Sequence, residues 1–279
     1  MMYVKSLKLY GSMAVVDFFV LVFVILHFFA CGKPSANNTI PQNDTTSSQP
    51  YALVWQDEFN GTTLDTLKWN YEVNGSGGGN NELQYYTNSL NNCYVKGGSL
   101  VIKAIKKNYK GKLYTSARIN TGNKGDWKYG KFEIRAKLPI GQGLWPAIWM
   151  LPTDWVYGGW PLSGEIDIME ELGQEPGKIY GTVHYGNPPR EQGGNITLTN
   201  SDVSKDFHVY SIEWNYARIR FFVDSINYYT AYVRKPFDQR FHFVFNVAVG
   251  GNWPGNPDSS TIFPQQLVVD YVRVYQKLK

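Results

Sequence analysis

Lys131-Phe132-Glu133-Ile134-Arg135-Ala136-Lys137-Leu138 alternates strictly, with Phe132, Ile134, Ala136 and Leu138 on one side and four charged residues on the other. Side chains of an extended chain point to opposite faces in turn, so the segment reads as a strand with one face in a core and one in water. The same signal recurs outward from it. Phe207 to Trp214 and Arg218 to Asp224 flank an Asn215-Tyr216-Ala217 turn, and Asp224-Ser225 breaks the chain before Ile226 to Tyr229. Leu100-Val101-Ile102, Phe241 to Val249 and Leu267 to Tyr275 add apolar strands, separated by Gly, Asn and Pro clusters. Convincing helical periodicity and internal repeats are missing. The expectation is an all-β chain, an antiparallel sandwich or barrel, in one folded domain.

Composition narrows the function. Of 279 residues, 43% are hydrophobic and 18% charged, which is globular rather than disordered. The net charge of +4 comes without a dense Lys/Arg run, so nucleic acid is not an expected partner. Aromatic residues make up 16%, including nine Trp and twenty Tyr, which favours a surface that meets flat apolar faces such as sugar rings. Two Cys exclude a disulfide framework. His27, His184, His208 and His242 show no paired ligand spacing, so a zinc or di-iron site has little support and each reads first as a hydrogen-bonded structural histidine.

Lys5 and Lys8 precede an apolar stretch, Phe18 to Phe29 broken only by His27, that ends at Ala30-Cys31-Gly32. A basic start, a short apolar run and a small residue make a signal peptide over residues 1–31, too short to span a bilayer comfortably. The Ala30-Cys31 ending is similar to the lipobox of bacterial lipoproteins, although Phe28 and Phe29 stand where that box prefers Leu and a small residue. This implies an exported bacterial lipoprotein, periplasmic or at the cell surface, tethered to a membrane by acyl chains on Cys31. Residues 32–50 are a polar flexible linker, and the folded domain is expected over 51–279.

The segment Gly164-Glu165-Ile166-Asp167-Ile168-Met169-Glu170-Glu171 carries the chemistry. On a strand, Glu165 and Asp167 share one face while Ile166 and Ile168 share the other. Carboxylates side by side cannot all ionise freely, so their pKa values separate, as acid and base work on a glycoside requires. Glu170 has the wrong parity for that face. A single β-bulge near Met169 would swing it there, whereas a regular strand would present Glu171 instead. With the bulge, the two Glu lie roughly 13 Å apart along the backbone at ~3.3 Å per residue. Their side chains could then lean toward the ~5–5.5 Å carboxyl separation of a retaining glycosidase.

Glu165-Ile166-Asp167-Ile168-Met169-Glu170 resembles the Glu-x-Asp-x-x-Glu signature of glycoside hydrolase family 16 in its bulged form. The resemblance runs from Trp55-Gln56-Asp57-Glu58-Phe59 to the end of the chain. Asn80-Asn81-Glu82-Leu83-Gln84-Tyr85-Tyr86-Thr87, the stretch Gly143 to Pro152 and the stretch Asn246 to Gly255 resemble the laminarinase branch, the endo-β-1,3-glucanases. The resemblance implies a β-jelly-roll sandwich of two antiparallel sheets with a concave substrate cleft. It implies an enzyme that needs no cofactor for catalysis and takes a β-glucan polysaccharide as its substrate; a monomer is expected. By the same resemblance Glu165 matches the nucleophile, Glu170 the general acid and base, and Asp167 the residue that holds the nucleophile by a hydrogen bond. Glu170 is thereby preferred to Glu171. Trp145, Trp149 and Trp253 match cleft aromatics, Trp149 being also the best candidate for a core Trp; Asn81, Arg118 and His184 match polar cleft positions. Arg118 as an unpaired buried cation would be costly, so a wet cleft suits it.

Asp270 interrupts the face shared by Val268, Val272 and Val274 and asks for a partner. Many members of the family bind a structural calcium near such an Asp, with carbonyl oxygens near Glu58 and Gly98, and calcium favours oxygen ligands. One departure stands out: Gly77-Gly78-Gly79 replaces a Trp that the laminarinase branch often carries. Within the same machinery, mixed-linkage glucan, an algal galactan or transglycosylation are the rival activities. A non-catalytic glucan receptor typically loses the carboxylates that this chain retains.

Overall fold

The alternation at Lys131–Leu138 becomes a strand, Gly130–Lys137, whose Phe132, Ile134 and Ala136 are fully buried. The structure, a computed structural model, describes residues 50–278; the export segment, Cys31 and all but the last residue of the linker lie outside the described residues. In chain order the strands are β1 (Tyr51–Asp57), β2 (Asn70–Glu72), β3 (Gln84–Tyr86), β4 (Cys93–Lys96), β5 (Ser99–Tyr109) and β6 (Lys112–Ser116). Next come β7 (Arg118–Asn120), β8 (Asp126–Trp127), β9 (Gly130–Lys137), β10 (Leu144–Pro152), β11 (Glu165–Glu171) and β12 (Lys178–Tyr185). The last are β13 (Arg190–Thr197), β14 (His208–Trp214), β15 (Ile219–Val223), β16 (Ile226–Ala231), β17 (Phe241–Val249) and β18 (Gln265–Lys277). No helix occurs among the described residues.

Two sheets form a jelly-roll sandwich. One runs β16-β15-β14-β9-β18-β5-β6-β3, with β1 also on β18 and β4 on β5; the other runs β13-β12-β11-β10-β17-β7-β2, with β8 on β17. Pairing is antiparallel throughout except between β3 and β6, which run parallel. The core fills the space between the sheets. Along β17, Phe241, Phe243, Phe245, Val247 and Val249 face inward, while His242, Val244, Asn246 and Ala248 take the opposite parity. Strands β10, β11 and β12 repeat this division: Ile148, Met150, Ile166, Ile168, Ile179 and Val183 enter the core and their alternate neighbours stand on the outer face. Truncating one buried Phe in such a core costs about 3–5 kcal/mol, so the sandwich is a stiff base for that face.

The aromatic wealth divides between two tasks. Trp69, Trp127 and Trp214 are buried in a ring cluster with Phe132, Phe243 and Phe245. Trp145, Trp149, Trp160 and Trp253 stand on the outer face of the second sheet or its loops. Two histidines are structural, as expected: His208 lies between Asp224 Oδ2 (2.5 Å) and Ser201 Oγ (2.6 Å), and His242 Nδ1 lies 3.0 Å from Thr153 Oγ1.

The face assigned to Asp270 differs from the sequence reading. The register of β18 against β9 shifts between Val269 and Tyr271, so Asp270 is the extra residue of a bulge. Leu267 and Val269 before the bulge and Val272 and Val274 after it all face the core, and Asp270 does not interrupt them. Its carboxylate accepts from Arg135 Nη1 at 2.5 Å. Val269 pairs with Leu100 and Val272 with Asp57, so the bulge lies beside the turn containing Gly98 and the end of β1 before Glu58. The expected calcium ligands Glu58, Gly98 and Asp270 are thus brought to neighbouring positions in the sheet, with the Asp270 carboxylate held by Arg135. The Glu58 side chain is engaged by Arg273 at 2.8 and 2.9 Å.

Candidate active site

The bulge expected near Met169 is present. Ile148 pairs with Met169 and Trp149 with Asp167, so Ile168 is the extra residue on β11. On the other side the register with β12 shifts between Asp167 and Glu170. Ile168 and Met169 both pack into the core, and parity after them is reversed. Glu165, Asp167 and Glu170 therefore stand together on the cleft face, and Glu171 turns inward, fully buried, with one oxygen accepting from the Gly177 N–H at 2.6 Å. This resolves the choice between Glu170 and Glu171.

Each outer carboxylate receives an indole N–H. Trp160 Nε1 donates to Glu165 Oε2 at 2.5 Å, and Trp145 Nε1 donates to Glu170 Oε1 at 2.9 Å. Asp167, 2% exposed, stands between the two on the same face. Burial, and then the charge of Asp167, pushes Glu165 up to about 8. Burial, and then the charge of Glu165, pushes Glu170 up to about 7, against the Trp145 donor that pulls it down. Asp167 is also raised, by burial and then by Glu170. A cluster so arranged keeps at least one proton at neutral pH and holds it where a leaving oxygen could take it.

The cleft holds about 790 Å³ beside these carboxyls, bounded by Trp145, Trp160, Tyr180, His184, Glu191 and Trp253. Trp253 meets Trp145 edge-on at 5.5 Å and Tyr180 at 5.0 Å, which leaves an aromatic wall. A second hollow continues over the carboxyls past Gly78, Glu82, Arg118, Trp149 and Asn246. Trp149 is half-buried on its floor. The Trp149 indole donates to Asn246 Oδ1 at 2.8 Å, and the Arg118 guanidinium covers its ring at 4.7 Å. Arg118 reaches the cleft as expected, but it is paired, with Nε 2.9 Å from Glu72 Oε2. His184 faces Glu165 across the β11–β12 pair, its Nε2 3.2 Å from Asp167 Oδ2. Asn81 sits at the rim: with φ 59° it closes a turn, and its Nδ2 donates to Asn252 Oδ1 at 2.8 Å, while its neighbour Asn80 lines the cleft.

Sequence reasoning missed Trp160, Tyr180, Glu82, Glu191 and Asn246. Asn246 had a signal, as a polar residue inside the apolar run Phe241–Val249. Glu82 lay inside a quoted motif; its carboxylate accepts from Gln84 Nε2 (2.5 Å) and Tyr86 OH (2.9 Å). Trp160 is placed by a loop, which has no periodicity to read.

Residues 80–273 match the model of the glycosyl hydrolases family 16. The chain belongs to that family. It is 48% identical over 255 residues to a beta-glucanase of Rhodothermus marinus, covering 84% of this chain and 88% of that protein. The X-ray structure of the laminarinase from Rhodothermus marinus superposes with a TM-score of 0.79 at 46% identity, over 83% of this chain and 100% of that one. A LamA variant from Z. galactanivorans, solved with laminaritriose and laminaritetraose, superposes with a TM-score of 0.73 at 37% identity, over 80% of this chain and 98% of that one. As a family 16 glycoside hydrolase the chain has its carboxyl-bearing strand inside the matched region, on the face that the bulge creates.

Proposed function

We propose that this glycoside hydrolase cuts internal β-1,3-glucosidic bonds of laminarin-type glucans with retention, by double displacement. The observation that carries the reading is the bulge on β11, which sets Glu165, Asp167 and Glu170 on one cleft face with an indole donor on each glutamate. Glu165 attacks the anomeric carbon as Glu170 protonates the leaving oxygen; Glu170 then takes a proton from the water that releases the sugar from Glu165. Asp167 holds Glu165 and spreads its charge. Trp145 and Trp253 offer ring faces to glucose units, and Arg118, His184 and Asn246 offer polar contacts near the cut bond.

The same reading extends to the cell. Residues 1–31 export the chain, Cys31 is acylated, and residues 32–50 tether a monomeric domain to a bacterial membrane, facing the periplasm or the outside. A structural Ca2+ binds between the Glu58 and Gly98 carbonyls and the Asp270 carboxylate. Reducing-sugar release from laminarin, lichenan and agarose by the chain, with Glu165→Gln as control, tests the activity. Turnover on laminarin that vanishes in the variant is expected; silence on laminarin with turnover on agarose would replace the substrate class.

A further inference from the structure

His184 Nε2 and Asp167 Oδ2 lie 3.2 Å apart without the alignment of a hydrogen bond, and that Oδ2, on a side chain only 2% exposed, has no other partner. Two ligands of one small cation stand at such a distance, roughly 3.3 Å when each bond is ~2.0–2.1 Å in a tetrahedral site. A Glu165 oxygen completes a set of three, all within 4.8 Å of one another. On its far side His184 presents Nδ1 to Glu191 Oε2 at 3.5 Å. A carboxylate on that side favours the tautomer with the proton on Nδ1, which leaves Nε2 free for a metal. The set opens on the cleft, so a fourth ligand can be water.

We propose that the cleft binds one divalent transition-metal ion, Zn2+ or Cu2+, through His184 Nε2, Asp167 Oδ2 and a Glu165 oxygen, and that glucan and metal exclude each other. One imidazole with two carboxylates selects Zn2+ and Cu2+ over Mg2+ and Ca2+, whose preference is for oxygen alone. Binding displaces protons from the carboxyl cluster into solution and oxidises nothing. The site stands on geometry alone; only its inhibitory consequence rests on the reading of the cleft as a glucanase.

Isothermal titration of the untagged chain with Zn2+, in saturating Ca2+, tests the proposal. One equivalent is expected to bind, at least about tenfold more weakly in His184→Gln, and to be displaced by laminari-oligosaccharide. Asp167→Asn serves as a second variant should the first lose its fold. Zn2+ affinity unchanged in both variants would overturn the site, and binding that weakens in the variants but is indifferent to oligosaccharide would overturn the mutual exclusion. Zn2+ binding that follows this pattern in a chain inactive on every glucan would uphold the site and overturn only the glucanase reading.

Discussion

The indole N–H of Trp145 donates to Glu170 Oε1 across 2.9 Å, from two residues along the strand that pairs with Glu170 through Ala147. One side chain is thus both a wall of the cleft and a hydrogen-bond donor to the carboxyl proposed as the acid. The donor favours the ionised carboxylate, so it holds Glu170 down from where burial and Glu165 would push it. Trp145→Phe keeps the ring and removes the donor. The basic limb of kcat/KM on laminarin, which reports loss of the acid's proton in the free enzyme, is expected to move to higher pH. A limb that stays in place would remove Glu170 from the acid's role.

Glu165→Gly and Glu170→Gly separate the two roles by product. Each is expected to lower turnover by at least about a thousandfold on a natural glucan. Azide entering the space left by Glu165 attacks the face the nucleophile used and gives an α-glycosyl azide. In Glu170→Gly, azide attacks the glycosyl-enzyme and gives the β-anomer. Proton NMR of the products distinguishes them, and the opposite assignment would exchange the roles.

Much of this was legible because a period of two fixes faces. The strands at Lys131–Leu138, Phe207–Trp214 and Phe241–Val249 fall within a residue of those observed, and the motif placed Glu165, Asp167 and Glu170. Parity fails where a bulge adds a residue. At Ile168 the motif itself announced the shift; at Asp270 nothing did, and the aspartate was assigned to the wrong face. Trp160 and Glu191 were unreadable for another reason, since a loop and an edge strand bring them to the cleft from outside the motif.

Gly181 shows how closely the second layer supports the cleft. It lies on β12 between Tyr180 and Thr182, and a methyl group there would collide with the Tyr228 hydroxyl and the Phe221 ring. Gly181→Ala must push β12 outward and displace Tyr180 and His184. We expect a loss of about 1–3 kcal/mol in urea unfolding and a raised KM. Wild-type stability would mean that Tyr228 yields freely.

Asp270, the carboxylate of the proposed calcium site, is already paired with Arg135 at 2.5 Å. Removing Ca2+ with a chelator is expected to lower Tm, and Arg135→Ala to enlarge the difference between calcium-loaded and calcium-free chain. A Tm indifferent to chelator in both proteins would remove the metal.

Glu171 is the counterpart of Glu170 on the buried side of the bulge. One of its oxygens accepts from Gly177, the other has no partner, and burial raises its carboxyl to about 8 from an ordinary 4.5. Between those values the folded chain keeps a proton that the unfolded chain releases. The contribution of Glu171 to stability is therefore full below about pH 4.5, falls as pH rises through the window, and is lost above about 8. Gln in its place can still accept from Gly177 and does not titrate. The Tm of Glu171→Gln should match wild type near pH 4.5 and exceed it by roughly several degrees at pH 8, since each kcal/mol moves Tm by about 2–4 °C in a domain of this size. The carboxyls of the cleft are common to both proteins and cancel in the difference. Parallel curves of Tm against pH would mean that Glu171 is ionised in the folded chain and that its second oxygen has found a partner.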